Sequence, residues 1–394
     1  MPGFRVSSLE PGTFLGFRRE RGGPGVRNAL LVLNLAGLTE PSARAVAAGL
    51  AGSVLVSMPH GLAISGRGEK PVNNTLEALA RHPNAGAVLL LGADTRKTET
   101  FEAALADVGK PLRVVTMESA GRDALAFRMA AMREGAQLIS LISTQRREAF
   151  PFSALRLALE CGLSDPTSGL AANPLLGRVT DRLVAAGGAA VFGETTEWLG
   201  SEDGLAARAC RRIAAEIYNA VERRERLAKV CGIDLLFNNP GRANIEAGLS
   251  TIEDKAIGSV AKSGTAPVSA FLAYGDRHEE PGLAAMDGPS YTPESLTGLV
   301  AAGAQIALFT SGVGNSYTSA LAPTIKVTGN GETAERLPEQ FDFVCADLME
   351  RPDLIEMSAD ALVERILEVA SGAQTFGEIL GEGDEVVARF GETL

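Results

Sequence analysis

The sequence predicts an α/β protein made of two Rossmann-like domains with mainly parallel sheets. Short apolar runs alternate with amphipathic segments of helix length along most of the chain, and the connections between them are short. Such alternation is typical of parallel strands joined by right-handed helical crossovers. The length of 394 residues exceeds what one ordinary hydrophobic core holds, which favours two domains. The composition, 45% hydrophobic and 22% charged, is that of a globular protein rather than a disordered one.

The first half of the chain contains four predicted strand–helix units. Its apolar runs are bounded by polar or glycine-containing turns, as buried parallel strands are. The strands are predicted at Ala29–Leu35, Ser53–Ser57, Ala87–Gly92 and Leu112–Thr116. The helices are predicted at Pro41–Ala51, Val72–Arg81, Thr98–Val108 and Arg122–Glu134.

A second series of units follows in the rest of the chain. Its strands are predicted at Leu155–Glu160, Ala189–Glu194, Gln305–Thr310 and Thr324–Thr328. Its helices are predicted at Leu170–Ala186, Leu205–Lys229, Thr251–Lys262, Pro293–Ala302 and Ala359–Ser371. The polar stretch Ser143–Glu148 between the two series is the predicted boundary, which gives an N-terminal domain of residues 1–145 and a C-terminal domain of residues 146–394.

The charge and the apolar runs exclude several classes of partner. A net charge of −11 disfavours nucleic acid and anionic membranes, because both require clustered Lys and Arg. It does not exclude a small anionic substrate held by a local group of cations. No apolar run is long enough to span a membrane, and the N-terminus lacks the apolar core of a signal peptide. Four widely spaced cysteines without a CxxC pair predict free thiols and a cytoplasmic location.

Ligands of open parallel sheets bind beyond the carboxyl ends of the strands, so polar strand ends are the first candidates for a site. The segment Glu160–Asp165 places two carboxylates, a thiol and a hydroxyl at one such end. A helix predicted from Leu170 would direct free N–H groups to the same place, which favours an anion. The alternative interpretation is a strand end with a buried cysteine and a helix cap.

Two further segments carry polar groups after strands or on helices. The Gly-rich loop Thr310–Ser316 follows a strand and has the backbone N–H groups that cradle a carboxylate, although a plain tight turn fits the pattern equally well. Lys255 and Lys262 follow the polar loop Asn238–Asn244. A lysine near carboxylates can act as a base or bind a substrate carboxylate. The alternative is that both lysines lie on a solvated helix face. The three histidines are far apart, and only His60 ends a predicted strand, which argues against a multi-histidine metal site.

These residues resemble the altronate/galactarate dehydratase family, and the matches occur in one order over nearly the whole chain. The longest begins at Glu160-Cys161-Gly162, includes Ser164-Asp165, Ser168-Gly169 and Asn173-Pro174, and continues to Glu194, Glu197 and Gly200. Further matches are Gly16-Phe17-Arg18-Arg19, Gly25-Val26-Arg27-Asn28, Arg81–Gly86, Asn239-Pro240, Glu253-Asp254-Lys255, Lys262, Gly264–Pro267, Phe309-Thr310, Gly312 and Pro323–Lys326.

The resemblance implies enzymes that dehydrate sugar acids, or in one branch eliminate sulfite from sulfolactate, usually with iron or another divalent metal. Many members carry a small additional N-terminal domain or a separate small subunit, whereas this chain starts directly at the large region. Several positions depart from the family pattern. Leu62, Thr95 and Arg96 stand where the family has Cys and Cys-Glu, Ile245 replaces a Lys, and Val313 replaces an Arg. The cofactor is therefore left open: the resemblance implies a divalent metal, but its ligands are degraded, and we expect no tightly bound iron or iron–sulfur cluster.

We expect a lyase that performs β-elimination on a small hydroxy or sugar acid. Elimination requires a base for the α-proton, an electrophile and an acid for the leaving group. The catalytic candidates are Glu160, Cys161, Asp165, Glu194, Lys255 and Lys262. The substrate-binding candidates are Arg18, Arg27, Asn28, His60, Arg96, Ser164, Asn173, Asn239, Thr310, Ser311 and Gly312. Two alternatives remain, a metal-independent hydrolase, decarboxylase or carbon–carbon lyase and a non-catalytic binding subunit. A homo-oligomer is expected, with a separate small subunit as a further partner, and both Gly92–Arg96 and Glu160–Asp165 are expected to open onto one cleft between the domains.

Overall fold

The computed structural model of the chain describes residues 12–60, 69–235 and 239–387, which form an α/β fold with two parallel sheets. The strands are β1 (Thr13–Phe17), β2 (Ala29–Asn34), β3 (Ser53–Ser57), β4 (Ala85–Gly92), β5 (Leu112–Thr116), β6 (Arg147–Pro151), β7 (Arg156–Cys161), β8 (Ala189–Phe192), β9 (Val268–Leu272), β10 (Gly282–Met286), β11 (Ile306–Thr310), β12 (Thr324–Thr328) and β13 (Phe343–Val344). The helices are α1 (Glu40–Gly49), α2 (Glu69–Ala80), α3 (Thr95–Ala104), α4 (Ala124–Ile142), α5 (Asn173–Ala185), α6 (Glu202–Ala206), α7 (Arg211–Cys231), α8 (Arg242–Glu246), α9 (Ile252–Val260), α10 (Thr292–Ala301), α11 (Gly331–Arg336), α12 (Ile355–Ala370) and α13 (Phe376–Leu380).

The N-terminal sheet has four strands in the order β3-β2-β4-β5, and every pair is parallel. All residues of β4 are buried, because helices cover both faces of this central strand. That is why β4 is a continuous apolar run instead of an alternating one. Helices α1 and α4 pack on one face around Val46, Phe127 and Leu138, and α2 packs on the other face around Leu76.

The C-terminal sheet has seven strands in the order β13-β12-β11-β7-β8-β10-β9, again all parallel. The chain leaves β7 toward β8 on one side of the sheet and leaves β11 toward β12 on the other side. The boundary between β7 and β11 is therefore the topological switch point, where α/β proteins form a crevice at the carboxyl ends of the strands.

Direct contacts join the two halves. The apolar core on one face of each sheet is shared, with Val72 and Leu76 of α2 in the same cluster as Leu296 and Val300 of α10. In addition, Asn84 donates its side-chain amide to the carbonyls of Gln305 and Leu321 at 2.9 and 3.0 Å. These buried hydrogen bonds hold β4 and β11 in a fixed relation.

The structure confirms the predicted α/β class and the parallel sheets. The bounds of β3, β5 and β12 agree with the prediction, whereas the predicted helix Leu205–Lys229 is two helices, α6 and α7. Strands β1 and β6 were not predicted; they form an antiparallel ribbon in which Thr13 pairs with Pro151 and Phe17 with Arg147. The domain boundary near residue 145 stays a prediction. No helix among the described residues has the length and apolar character needed to cross a membrane.

Candidate functional site

The site is centred on Cys161, the last residue of β7, at the switch point of the C-terminal sheet. Cys161 pairs in register with Thr310, the last residue of β11. Each strand is followed by a loop with glycine, and Gly162 leaves so little room that an added Cβ would lie 2.8 Å from the Thr292 hydroxyl and 2.9 Å from the Asn315 amide. Gly162 thus allows the β7 loop, the start of α10 and the β11 loop to meet closely at the carboxyl edge.

The Cys161 thiol is surrounded by polar side chains inside the protein. Its sulfur lies 3.1 Å from Lys262 Nζ, 3.3 Å from Glu197 Oε2 and 3.3 Å from Ser259 Oγ, and 3.6 Å from Glu194 Oε2. Burial, followed by the nearby charges of Glu194 and Glu197, raises the pKa of the Cys161 thiol well above its ordinary value. The sulfur is therefore protonated at neutral pH, and it can donate to a neighbouring carboxylate.

Two buried ion pairs lie around this thiol. Lys262 Nζ is 2.5 Å from Glu194 Oε2, and Lys255 Nζ is 2.6 Å from Glu197 Oε1. All four residues are buried. Charges out of water require compensation, so each carboxylate depends on its lysine.

The four groups differ in their protonation. Burial opposes the charged form of both lysines, but the surrounding anions outweigh it and raise the pKa of Lys255 and of Lys262, so both remain ammonium ions. Burial would raise the pKa of Glu197 as well, yet Lys255 and Lys262 outweigh it and the pKa is lowered. For Glu194, burial and the charge of Glu197 prevail over Lys262 and raise the pKa to about 7. The pKa values of Glu194 and Glu197 are thus shifted in opposite directions, although the two residues are neighbours in the sequence.

Local backbone structure explains why these side chains converge. Glu194 follows β8 in the left-handed conformation, with φ 66° and ψ 56°, a region that non-glycine residues rarely adopt. The short helix of residues 195–198 begins there, and it presents Glu197 beside Glu194. Helix α9 starts at the Thr251 cap, whose hydroxyl accepts from the Asp254 N–H at 3.1 Å. Lys255 and Ser259 lie four residues apart on α9 and so share one face.

A cavity of about 960 Å³ opens over this cluster. Four members of its wall come from the cluster and the adjoining loop: Cys161, Glu197, Lys255 and Asn239. The rest of the wall is formed mainly by the loop before α10, by the β11 loop and by the end of α7. Asn239 accepts a 2.5 Å hydrogen bond from Lys255 through Oδ1, while its Nδ2 has no hydrogen-bond partner among the residues that the structure describes.

The structure brings most of the catalytic candidates together at this place. Cys161, Glu194, Lys255 and Lys262 form the cluster described above. Glu160 is buried on the other face of β7, where Ser295 donates to its Oε2 at 2.7 Å and its Oε1 has no hydrogen-bond partner within the described part of the chain. Burial, followed by the charge of Glu194, raises the pKa of Glu160 well above its ordinary value, which favours the protonated form of this carboxyl group.

Asp165 lies away from the large cavity. Its carboxylate accepts from the Thr167 hydroxyl at 2.7 Å and from the Ser168 backbone N–H at 3.0 Å, and the Asn330 amide donates to its second oxygen at 2.9 Å. Gly312 packs directly against it, since an added Cβ would lie 2.0 Å from the carboxylate. This arrangement suits a residue that anchors two loops, and a catalytic role for Asp165 stays a prediction.

Several substrate-binding candidates from the C-terminal half also have internal partners. Thr310 donates to Asn173 Oδ1 at 2.6 Å, and Asn173 donates to the Gly258 carbonyl at 2.9 Å. Ser311 accepts from the Gly314 N–H at 3.0 Å. Ser164 and Asn173 line a smaller cavity of about 260 Å³ that reaches Lys255 and Ser259 from another side.

The candidates from the N-terminal half do not line either cavity. Arg18 is exposed and pairs with Glu148, Arg27 forms a bidentate pair with Glu378 at 2.6 and 2.8 Å, and Asn28 donates to the Ile142 carbonyl. His60 and Arg96 are exposed at the carboxyl edge of the N-terminal sheet, and Leu62 lies outside the described residues. No residue of Gly92–Arg96 lines the cavity over Cys161. The cleft that was expected to contain both Gly92–Arg96 and Glu160–Asp165 is therefore not this cavity.

Two members of the cluster, Glu197 and Ser259, were not among the catalytic or substrate-binding candidates, although Glu197 belonged to the matched stretch after β8. Glu197 is the carboxylate of the pair that lines the cavity, and Ser259 bridges Lys262 and Cys161 at 2.8 and 3.3 Å. A signal for Glu197 was present, because two glutamates three residues apart directly after a buried strand are unusual in a core. Ser259 carried no such signal, since a single serine on a helix has many ordinary roles.

The described residues contain one group with metal-ligand geometry, formed by Cys161, Glu194 and Glu197, whose ligand atoms lie within 4.8 Å of one another. The lone pairs that a cation would need are already engaged by ammonium groups, Lys262 on Cys161 and Glu194, and Lys255 on Glu197. A soft divalent metal requires thiolate and free carboxylate ligands, so this group does not fit one as it stands.

Comparisons with known proteins match most of the chain. Residues 152–393 match the family model described as D-galactarate/Altronate dehydratase, C-terminal, and residues 16–140 match D-galactarate dehydratase/Altronate hydrolase, second domain. The chain is 32% identical over 389 residues to (2R)-sulfolactate sulfo-lyase subunit beta of Chromohalobacter salexigens, with 98% of this chain and 99% of the relative covered. It is 33% identical to altronate dehydratase of Bacillus subtilis over 93% of this chain and 75% of the relative, and 31% identical to that of Escherichia coli over 96% and 78%. Because one family model matches more than half of the chain and these relatives exceed 30% identity over at least three quarters of their own length, the chain belongs to the D-galactarate/altronate dehydratase family.

Proposed function

We propose that this protein is a lyase that removes water, or another small leaving group, from a hydroxy acid by β-elimination. The observation that carries the proposal is the pair of buried lysine–glutamate contacts around the Cys161 thiol, with Lys255, Glu197 and Cys161 open to one cavity. Relatives named altronate dehydratase and sulfolactate sulfo-lyase support elimination as the reaction class.

The first step is removal of the proton next to the substrate carboxylate, and Glu197 is the base. It is the ionised carboxylate that faces the cavity. When a substrate carboxylate shares the Lys255 ammonium, the stabilisation of ionised Glu197 weakens and its pKa rises. Substrate binding thereby brings the base closer to a pKa suited to proton abstraction.

Lys255 and Asn239 receive the substrate carboxylate. The Lys255 ammonium and the Asn239 Nδ2, which has no partner among the described residues, are held together, because Lys255 donates to Oδ1 of the same side chain at 2.5 Å. Loss of the α-proton moves negative charge onto the carboxylate oxygens. A fixed ammonium and a fixed amide donor stabilise that charge more than freely reorienting solvent would.

The leaving hydroxyl takes its proton from the Cys161 thiol. The resulting thiolate lies 3.1 Å from Lys262 Nζ, which balances its charge. Departure as water leaves an enol, which tautomerises to the 2-keto acid by gaining a proton on the β-carbon and losing its hydroxyl proton, and the proton on Glu197 returns to Cys161. Glu194, with a pKa of about 7, can gain or lose a proton near neutral pH between turnovers.

The test is turnover of purified full-length protein with a panel of hydroxy acids, followed as 2-keto acid formation and as solvent deuterium exchange at the α-carbon. We expect Glu197→Gln and Cys161→Ser each to lower turnover at least about a hundredfold. Glu253→Gln is the matched control, because Glu253 is an exposed carboxylate two residues from Lys255. Unchanged turnover in both site variants would reject the mechanism.

We further propose a cytoplasmic enzyme that forms a homo-oligomer and associates with a second, smaller chain. The name of one relative, a beta subunit that this chain matches over 99% of its length, supports an assembly. The described cysteines have no disulfide, as in a reducing compartment. Light scattering on the chain alone and after co-expression with a candidate partner gene measures the stoichiometry, and a monomer in both samples would contradict the assembly.

A further inference from the structure

Resting on the proposed function, we infer that Ser259 is a positioning residue for the elimination, whose single hydroxyl hydrogen is donated to Glu197 before the reaction and to Cys161 after it. Ser259 lies on α9 and is 3% exposed. Among the described residues that line the two cavities, it belongs to the smaller one of about 260 Å³ and not to the larger one over Cys161. Ser259 therefore acts on the base and the acid from behind, without contact to the substrate.

The hydrogens of the Lys262 ammonium determine what Ser259 can donate. Lys262 Nζ lies 2.8 Å from Ser259 Oγ and 3.1 Å from Cys161 Sγ. Its third neighbour is Glu194 Oε2, at 2.5 Å. An ammonium group only donates, so the Ser259 oxygen accepts from Lys262. The one hydrogen of the Ser259 hydroxyl is then left for another acceptor.

Two acceptors lie within reach of that hydrogen. Ser259 Oγ is 3.3 Å from Cys161 Sγ. Ser259 also forms a hydrogen bond with Glu197: burial would raise the pKa of Glu197, but the charges of the two lysines, followed by hydrogen bonds that include this one, lower it. Hydrogen bonds to ionised groups are stronger than those to neutral groups. The Ser259 hydrogen therefore follows the negative charge when that charge changes place.

The proposed mechanism moves charge between these two acceptors. It begins with Glu197 as a carboxylate and Cys161 as a thiol, so the Ser259 hydrogen stabilises Glu197. Once Glu197 has taken the α-proton and Cys161 has given its proton to the leaving hydroxyl, the charge lies on the sulfur. Rotation about the Cβ–Oγ bond turns the Ser259 hydrogen to that sulfur, and no proton of Ser259 is transferred. A donor beside the forming thiolate lowers the barrier to cleavage of the carbon–oxygen bond.

Three variants of the full-length protein isolate the hydroxyl group. Ser259→Ala removes it, and Ser259→Thr retains it. Ser263→Ala is the matched control, because Ser263 is equally buried but donates to the Val260 carbonyl at 2.7 Å and accepts from Arg208 at 2.8 Å, outside the cluster. Melting curves establish that the variants fold.

The first measurement uses iodoacetamide and no substrate. Cys161 lines the larger cavity, and mass spectrometry of its peptide separates its alkylation from that of the exposed Cys210 and Cys231. The thiolate is the reactive form, so loss of a donor to that anion should slow alkylation of Cys161 about tenfold in Ser259→Ala. The smaller alanine side chain cannot obstruct the reagent. We expect parental rates in Ser259→Thr and Ser263→Ala, and a parental rate in folded Ser259→Ala would overturn the inference.

The second measurement compares deuterium exchange at the α-carbon with formation of 2-keto acid, using the acid that the panel identifies. We expect Ser259→Ala to form product at least about tenfold more slowly. Exchange should fall less than about threefold, because Glu197 loses a stabilising donor and becomes a stronger base. A merely structural role would lower both rates alike, so equal losses, or no loss, would show the inference to be wrong. If the alkylation result holds but the parent forms no 2-keto acid from any acid, the proposed elimination fails while the hydrogen bond to Cys161 stands.

Discussion

Lys255→Met should separate the structural and the chemical roles of the Lys255–Glu197 pair. The two charged groups are 2.6 Å apart, with side-chain exposures of 9% and 1%. At an effective dielectric constant of about 20, the attraction at this separation is about 6 kcal/mol. Removing two ions from water costs several kcal/mol for each, so the intact pair contributes little net stability.

Loss of one partner is a different matter. Lys255→Met leaves Glu197 buried with Lys262 as its remaining cation, and the Asn239 carbonyl loses its donor. Such a change costs about 3–5 kcal/mol, or roughly 6–10 °C in melting temperature at about 2 °C per kcal/mol. Adding Glu197→Gln removes the orphaned charge. We expect the double variant to recover most of that loss, to within about 1–2 kcal/mol of the parent.

Activity should not recover with stability. The double variant lacks both the base and the carboxylate-binding ammonium, so its turnover should remain at least about a hundredfold below that of the parent. Calorimetry and the 2-keto acid assay, run on the parent, both single variants and the double variant, complete the cycle. A stable double variant with parental turnover would refute the assignment of these residues to catalysis. A double variant no more stable than Lys255→Met would refute the view that an unpaired charge causes the destabilisation.

Three further predictions concern the rest of the molecule. Burial raises the pKa of Glu385 from 4.5 to about 7, so the folded protein holds this proton more tightly and its stability falls as pH rises between these values. The loss of about 3 kcal/mol should disappear in Glu385→Gln, which should melt above the parent at pH 8. Parallel pH profiles of melting temperature for the two proteins would contradict this. Asp165→Asn decides the open role of that residue: a base predicts at least about a hundredfold lower turnover, whereas an anchor for Thr167 and Asn330 predicts a lower melting temperature with turnover kept. Dialysis against a chelator should change turnover by less than about twofold, because lysines engage the ligand atoms of Cys161 and its neighbours; stoichiometric iron in anaerobically purified protein, with activity lost on its removal, would show the opposite.

The periodicity of the sequence was sufficient to predict the class of fold. Strand β4 is buried on both faces, so its residues form an uninterrupted apolar run that is easily recognised. Strand β9 has the burial of an outermost strand, and β10 is a short Gly-Leu-Ala-Ala-Met segment without β-branched residues. Neither has the pattern of a buried strand, and tertiary packing determines both. The ribbon of β1 and β6 joins residues more than a hundred positions apart, which no local pattern can indicate.

The site was predictable to the extent that it follows from strand ends. Glu160 and Cys161 end β7, and Glu194 directly follows β8 after Gly193, so the rule for parallel sheets selects all three. The rule also selects the N-terminal sheet, because β2 leads to β3 on one side and β4 leads to β5 on the other, so it cannot by itself choose between the two sheets.

What the strand-end rule does not supply is charge balance. Lys255 lies on α9 and Lys262 lies two residues after its end, both about a hundred residues beyond β7. The pKa and the role of each lysine depend on which carboxylate it contacts. The same two lysines on a solvated helix face would have ordinary pKa values and no role in binding. Buried between Glu194, Glu197 and Cys161, they keep one carboxylate ionised, allow another to titrate near neutrality and hold the thiol ready to donate. The chemistry of this family member therefore depends on the packing of α9 against β7 and β8, and a substitution that shifts α9 should impair catalysis without touching the substrate.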